Sequence, residues 1–468
     1  MGQLDASIAQ LVLPTLQARF SVSLAAVSWV ALAYLLVLAA TLPIFGRLAD
    51  MFGRKLLYTG GFLIFILGSA LCGFANSLAL LIAARVLQAI GAGLLQANSV
   101  AIITVAAGPA RRGRAIGIQG AAQALGLSLG PALGGLLIQA LGWRWVFWIN
   151  VPAGIIGMLL GWFVLPRTQG LRRDERGFDW WGAVLLAPAL AMVLLALSEI
   201  PNWGGTSGLF LGTLATGAFL LVAFVWRERR AAPPLVDFGL FRSRAFSAGN
   251  IAGLISYALL FGVFLLLPFA LERGYADSPL AAGLRLTAVP LALGVAAPLS
   301  GALSDRLGAR PLTVGGMLLA ALSLAVLAVS LNGQAQTLGL VTLALIIFGI
   351  GQGLFTAPNN SAIMGAAPLH RLGAAGGVLN VMRTLGTSLG IAIASALLAW
   401  RVTALAGAGQ TTLNASPGDV LAGIRSVLWA FTLFAVAAAA ISLMRGKPTL
   451  LDAQQREEIS TSEPIGGV

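Results

Sequence analysis

The sequence predicts an all-α polytopic membrane protein, on three observations. Of its 468 residues, 58% are hydrophobic and only 10% are charged, against roughly 25% charged in an ordinary soluble domain. The apolar residues gather into runs close to the length a membrane helix needs, about 20 residues. Those runs are apolar all round, without the period-two alternation of a membrane β-barrel. The same composition argues against a collagen-like chain, a disordered tail or a disulfide scaffold, since Cys72 is the single cysteine.

Fourteen runs can be delimited, at approximately 1–18, 24–45, 56–76, 78–107, 115–141, 145–165, 181–198, 208–226, 245–271, 281–303, 311–332, 336–367, 373–400 and 421–444. The first stands apart. Eighteen residues precede Arg19, too few to span comfortably. It reads as a first span truncated at its front, with the true start upstream of Met1 or the chain shortened. Met1–Asp5 carry no basic region of a signal peptide.

A net charge of +13 would fit nucleic-acid binding, but the placement of the cations argues otherwise. Alternate loops carry clusters: Arg54 with Lys55, Arg111 with Arg112 and Arg114, Arg172 with Arg173 and Arg176, Arg227 with Arg229 and Arg230. The intervening loops and their edges carry far fewer, Arg19, Arg144, Arg273, Arg285, Arg401 and Arg425. Cations accumulate on the cytoplasmic side of a membrane protein. The pattern therefore predicts a cell (inner) membrane protein with both termini cytoplasmic. Trp29, Trp143, Trp203, Trp181 and Trp226 lie near run ends, as an interfacial belt would.

Two stretches recur. Pro43-Ile-Phe-Gly46-Arg-Leu-Ala-Asp50-Met-Phe-Gly53 matches Pro298-Leu-Ser-Gly301-Ala-Leu-Ser-Asp305-Arg-Leu-Gly308. Leu125-Gly-Leu-Ser-Leu-Gly130 matches Leu385-Gly-Thr-Ser-Leu-Gly390. Spans 1–6 and 9–14 therefore read as two six-helix repeats, with spans 7 and 8 as an inserted central pair. The expected layout is an N-terminal bundle over 1–165, a central linker with two extra helices over 166–244, a C-terminal bundle over 245–444 and a cytoplasmic tail over 445–468. Paired halves in a membrane are the mark of a transporter with its substrate site at the midplane.

Between spans 2 and 3, Gly46, Asp50, Gly53, Arg54 and Lys55 keep a G-x3-D-x2-G-R-K spacing. The glycines permit a tight turn, and a breakable charge cluster there can latch one domain arrangement. A plain positive-inside turn is the alternative. In span 5, Gly126, Gly130 and Gly134 fall at i, i+4 and i+8, followed by Gly135, with Pro131 among them. They line one face against which another helix can pack closely, and Pro131 favours a bend. Gly126–Gly130 and Gly386–Gly390 also spell G-x-S-x-G, but both lie mid-span and the single histidine, His370, is in a loop. No nucleophile elbow follows.

Arg85 lies inside span 4 with Gln88 one turn on. A charge there costs on the order of 2.5–3.5 kcal/mol, so it should face a wet cavity or an anion. Asp5 is the acid well inside a run, at a depth matching Arg85 to about one helical turn. A pair or relay between them fits. The alternatives are a polar residue at a helix start and a structural arginine. Arg383, inside span 13 with Asn380 one turn before, has no evident carboxylate partner. It could meet an anionic substrate group, snorkel, or make a structural hydrogen bond. Asn98, Asn359 and Asn360 could line a cavity or bond helix to helix. No G-x4-G-K-[ST] phosphate loop occurs, and one histidine with one cysteine argues against the usual zinc sites. Energy then comes from ion or substrate gradients.

These residues resemble the major facilitator superfamily, in particular its 14-helix drug:proton antiporter branch. The Gly46–Lys55 loop is similar to the superfamily's signature, and Gly126–Gly135 to the antiporter signature of span 5. Leu4-Asp5-x-Ser7-Ile8 with Leu13-Pro14, then Arg85, Gln88 and Gly91, and Trp143 to Pro152, resemble the branch's motifs in spans 1, 4 and 6. The resemblance implies a non-enzymatic multidrug efflux permease. It would export small lipophilic or drug-like compounds in exchange for protons by alternating access, without metal or cofactor. It implies Asp5 as a proton site, Arg85 as a proton-linked residue, and Asp50 with Arg54 as a latch. Expected partners are a small-molecule substrate and the lipid bilayer, with a periplasmic adaptor in a Gram-negative setting, a monomeric unit and no nucleic acid. Two other readings stay open: export of one metabolite, lipid or siderophore, and a non-transporting sensor or inactive paralogue. Members handling dications often carry an acid in span 13, where this chain has Asn380 and Arg383.

Overall fold

The structure is a computed structural model that describes residues 2–165, 179–231, 238–368, 371–407 and 410–444. It is all-helical over those residues. The helices are α1 (Gly2–Leu11), α2 (Leu13–Phe20), α3 (Leu24–Phe52), α4 (Arg54–Phe74), α5 (Leu78–Leu141), α6 (Trp145–Trp148), α7 (Asn150–Val164), α8 (Trp180–Trp203), α9 (Gly208–Glu228), α10 (Arg244–Phe269), α11 (Pro279–Leu307), α12 (Ala309–Ser330), α13 (Leu338–Gly365), α14 (Leu372–Ala406) and α15 (Pro417–Leu443). Their starts are written locally. Ser23, Ser77, Asp179, Ser207, Ser243, Ser278 and Ser416 each accept a hydrogen bond from a backbone N–H in the first turn of the helix that follows.

Each of the fourteen apolar runs is helical over most of its length. Among the described residues, 11 helical segments are long and apolar enough to cross a membrane. The three runs that fall short are the first, fifth and seventh. The first is broken at Val12 into α1 and α2, with Pro14 in the first turn of α2. Proline lacks the N–H an uninterrupted helix would use there. The fifth and seventh are counted only over their described stretches Leu125–Leu141 and Val184–Ile200, which lie within the longer helices α5 and α8.

Helix α5 is assigned over 64 residues, across the turn expected at about 108–114. Its axis must nevertheless reverse. Gln119 donates to the Ser99 hydroxyl at 2.8 Å, whereas 20 residues of straight helix would separate them by about 30 Å. Both arms also touch α1: Arg85 bonds Asp5, and Gly126 lies against Leu4.

The recurring motifs take matching local geometry. Gly53 (φ 97°) joins α3 to α4 and Gly308 (φ 80°) joins α11 to α12, each donating its N–H back four residues, to Ala49 and Ser304. The left-handed region is one that glycine enters without penalty. Gly126 and Gly130 face Leu4 and Ser7 of α1, as Gly386 and Gly390 face Leu254 and Ala258 of α10. In each pair a missing Cβ lets two helices pack at backbone distance.

Large apolar side chains remain exposed around the outside, among them Phe163, Phe219 and Leu433. Such a continuous apolar exterior suits lipid. Helix α9 is the most peripheral candidate span, 11% buried, and the span containing α10 the most central, 83% buried. Of the expected interfacial tryptophans, Trp143 is instead buried, packed edge-on against Phe20 at 5.9 Å. The Asp50 side chain, His370 and the tail 445–468 lie outside the described residues.

Candidate functional site: a buried ion pair beside a cavity

Three faces of α1 build the site. One face, Leu4, Ser7, Ile8 and Leu11, lies against Gly126, Gly130 and Gly134 of α5. A Cβ on Gly130 would overlap the Ser7 side chain, and one on Gly134 would sit 3.3 Å from Leu11. The glycine face expected in span 5 is therefore the seat of α1, and it sets how deep α1 lies. Gly135, one residue further, abuts the backbone at Pro279 of α11 instead, and Gly283 of α11 abuts the Pro131 carbonyl.

The second face of α1 presents Asp5. Arg85 donates from Nη1 to Asp5 Oδ2 at 2.6 Å, and the two side chains are 1% and 2% exposed. Gln88 Nε2 and Asn150 Nδ2 donate to Asp5 Oδ1 at 3.0 and 2.8 Å. Arg85 also donates from Nε to the Val30 carbonyl and from Nη1 to Gln88 Oε1. Gln88 reaches the Ser69 hydroxyl at 2.8 Å. The Arg85 guanidinium lies over the Tyr34 ring, 4.1 Å from its centre. Helices α1, α3, α4, α5 and α7 thus all contribute. A buried charge persists only when paired and hydrogen-bonded, and both conditions are met here.

The arrangement is one-sided. Gly91 packs on Gly61 as Gly351 packs on Gly316, so the second-half counterpart of Arg85-x-x-Gln88 is the apolar Leu345-x-x-Phe348. One turn on, the Ser256 hydroxyl donates to Gln352 Oε1 at 2.5 Å, with no charge involved.

The third face of α1, Gln3 and Ala6, lines a small cavity of about 30 Å³, room for about one water in this conformation. Its other walls are Tyr34 and Leu38 of α3, Gln96 of α5, Tyr257 and Phe261 of α10, and Arg383 and Thr387 of α14. Tyr34 belongs to both places: it borders the cavity and carries Arg85 on its ring. Arg383 approaches Gln123 Oε1 at 3.5 Å and the Tyr257 ring centre at 5.9 Å.

The remaining sequence candidates fall elsewhere. Asn98 is buried and donates to the Leu94 carbonyl of its own helix, so it does not border this cavity. Asn380 is half-buried and outside the lining, and Asn359 donates to the Gly249 carbonyl. In the loop motif, Lys55 donates to the Leu165 carbonyl at 2.6 Å and lies over the Trp162 ring. Around Gly46 a Cβ would meet nothing within 4 Å. Sequence reasoning missed Tyr34, Ser69 and Asn150 as members of the site. Asn150, at the start of α7 in an apolar run, carried the one available signal, a lone amide that needs a partner.

Comparison with known proteins follows this geometry. The family model described as the Major Facilitator Superfamily matches residues 1–241, 176–391 and 249–462. The chain is 38% identical over 408 residues to a riboflavin transporter, RibZ, of Clostridioides difficile, covering 86% of each chain. It is 35% identical to a multidrug resistance protein B homolog of Mycobacterium tuberculosis, and 33% identical to the tetracenomycin C resistance and export protein of Streptomyces glaucescens. Each alignment covers 86% of this chain and 74% of the relative. A crystal structure of a bacterial homolog of the lysosomal transporter Spinster, inward-facing and unoccupied, superposes with a TM-score of 0.67 at 18% identity, over 96% of this chain and 95% of that one.

The fold and the site define a multi-pass membrane transporter of small molecules, not an enzyme. The chain belongs to the major facilitator superfamily, and its named relatives place it in the drug-efflux branch.

Proposed function

We propose that this protein exports small lipophilic or drug-like compounds from the cytoplasm in exchange for protons, by alternating access. The observation that carries the reading is Tyr34, which touches the buried Asp5–Arg85 pair and the cavity at once. A proton arriving at Asp5 Oδ2 occupies the position to which Arg85 donates, so protonation breaks the pair. The freed guanidinium then changes its stacking on Tyr34, and with it the cavity wall. Substrate entering the cavity acts on Asp5 through the same ring in the opposite sense, as reciprocal coupling requires. One charge crossing 100 mV releases about 2.3 kcal/mol, enough for roughly a 50-fold gradient.

In this reading all fourteen helical runs cross the cell (inner) membrane, with both termini cytoplasmic. Residues 1–165 and 245–444 form the two repeats, and 166–244 carry the inserted pair. Gly46, Asp50, Gly53, Arg54 and Lys55 act as a latch on the cytoplasmic side. The unit is a monomer, and the proton gradient takes the place of any cofactor.

A second reading is favoured by one observation, the 38% identity to a protein named a riboflavin transporter. It makes this chain a carrier for one metabolite rather than for many drugs. Inverted membrane vesicles with a pH-gradient dye test both. A dye response to several unrelated compounds, lost in Asp5→Asn, is expected of the exporter. A response to a single metabolite supports the second reading, and substrate movement unaffected by collapse of the proton gradient ends the antiport proposal.

A further inference from the structure

We infer that the cavity, as it opens in the transport cycle, selects compounds carrying a planar anionic group, which Arg383 receives. The inference rests on the exporter reading and names its substrate class.

The two membrane arginines differ in how far they are satisfied. Arg85 is fully buried and engaged by Asp5, Gln88, the Val30 carbonyl and the Tyr34 ring. Arg383 is half-buried, borders the cavity, and among the described residues has no carboxylate within 4 Å. Its one side-chain acceptor, Gln123 Oε1, is neutral and distant at 3.5 Å. A guanidinium has five N–H donors in a planar fork suited to a carboxylate or a similar planar anion. Inside a membrane a cation left so open is costly, and an incoming anion removes that cost.

The walls agree with this assignment. Among the described residues that line the cavity none is an acid, and Asp5 is withdrawn behind Tyr34 with its oxygens taken by three donors. A cationic compound therefore meets Arg383 and no counter-charge. The Thr384 and Thr387 hydroxyls donate to the backbone carbonyls of Asn380 and Arg383, so Arg383 is the strong donor on that wall. Tyr34 and Phe261 are buried, so the aromatic side chain open beside Arg383 is the half-buried Tyr257.

Three matched fluorescent probes test this on the full chain in lipid nanodiscs: 9-anthracenecarboxylate, its neutral carboxamide and 9-(aminomethyl)anthracene. The carboxylate is expected to bind about tenfold or more tighter than the amine. Arg383→Gln removes that preference while carboxamide binding persists, which reports that the variant is folded. Arg383→Lys keeps the preference. Equal or tighter binding of the amine to the unaltered protein overturns the inference without recourse to any variant. So does a preference that survives in Arg383→Gln.

Proton movement, read separately in proteoliposomes, keeps the two proposals apart. Carboxylate transported without protons overturns the coupling and leaves the substrate class standing. Proton movement driven by the amine alone overturns the substrate class and leaves the coupling.

Discussion

Asp5 and Arg85, 80 residues apart in the chain, lie 2.6 Å apart with almost no exposure to solvent. Breaking a buried pair by removing one partner costs about 3–5 kcal/mol, because the other charge stays buried. Arg85→Ala is expected to lower the thermal midpoint strongly, and Asp5→Asn likewise. The double variant Asp5→Asn, Arg85→Gln removes both charges together and should recover much of the stability. Neither single variant nor the double should move protons. Thermal unfolding in detergent beside the vesicle dye assay reads both. A double variant as unstable as the sum of the singles would contradict the pairing.

Tyr34 is the physical link between the pair and the cavity. A desolvated cation over an aromatic ring contributes about 2 kcal/mol or more. Tyr34→Phe keeps the ring face and should transport nearly normally. Tyr34→Leu loses it, and substrate-driven proton movement should fall by roughly tenfold or more. Equal activity of the two variants would remove Tyr34 from the coupling.

Glycines at Gly130 and Gly46 are expected to respond in opposite ways. A methyl at Gly130 collides with Ser7 and displaces α1, which costs about 1–3 kcal/mol of overpacking. Gly46 lies within α3 in open space, where Gly→Ala stabilises helix by up to about 1 kcal/mol. Gly130→Ala should therefore unfold earlier and Gly46→Ala should not. A Gly46→Ala protein that is stable but transport-dead would mean that another conformation brings a neighbour close to Gly46, as a latch demands.

At the other end of the bundle, Gln17 of α2 donates to the Thr412 hydroxyl at 2.7 Å, joining segments 395 residues apart. One such bond contributes about 0.5–1.5 kcal/mol. Gln17→Leu should therefore shift the conformational balance by roughly 2- to 10-fold. Cys72 is fully buried, so a reporter cysteine at the cavity residue Ala6 can be read against a silent background. Its labelling rate by a membrane-impermeant thiol reagent should change by that factor. An unchanged rate would show that the bond does not hold this conformation.

Much of the fold was legible in the sequence because membrane helices announce themselves by length and apolarity. The fourteen runs and the repeated glycine motif ending at Gly53 and Gly308 are all local features. The reversal within α5 falls between Ser99 and Gln119, where the gap between the fourth and fifth runs placed a turn. Of the site, Asp5 and Arg85 stood out because ionisable groups are expensive in a membrane. Tyr34 did not, since a tyrosine in an apolar run is ordinary. Asn98 and Asn380 were candidates on polarity alone. The structure satisfies Asn98 within its own helix and sets Asn380 outside the cavity.

By itself the sequence determined the class of protein, the helical segments, the paired motifs and the two membrane arginines. Each follows from the local cost of burying polar groups in lipid. Only the tertiary structure decided which arginine is spent and which is open. That distinction depends on which side chains five separate helices bring within hydrogen-bond reach. Arg85 meets Asp5 and Gln88, and Asn150 meets Asp5, because the glycine face of α5 seats α1 deeply. Arg383 meets a cavity because among the described residues no helix carries an acid to it.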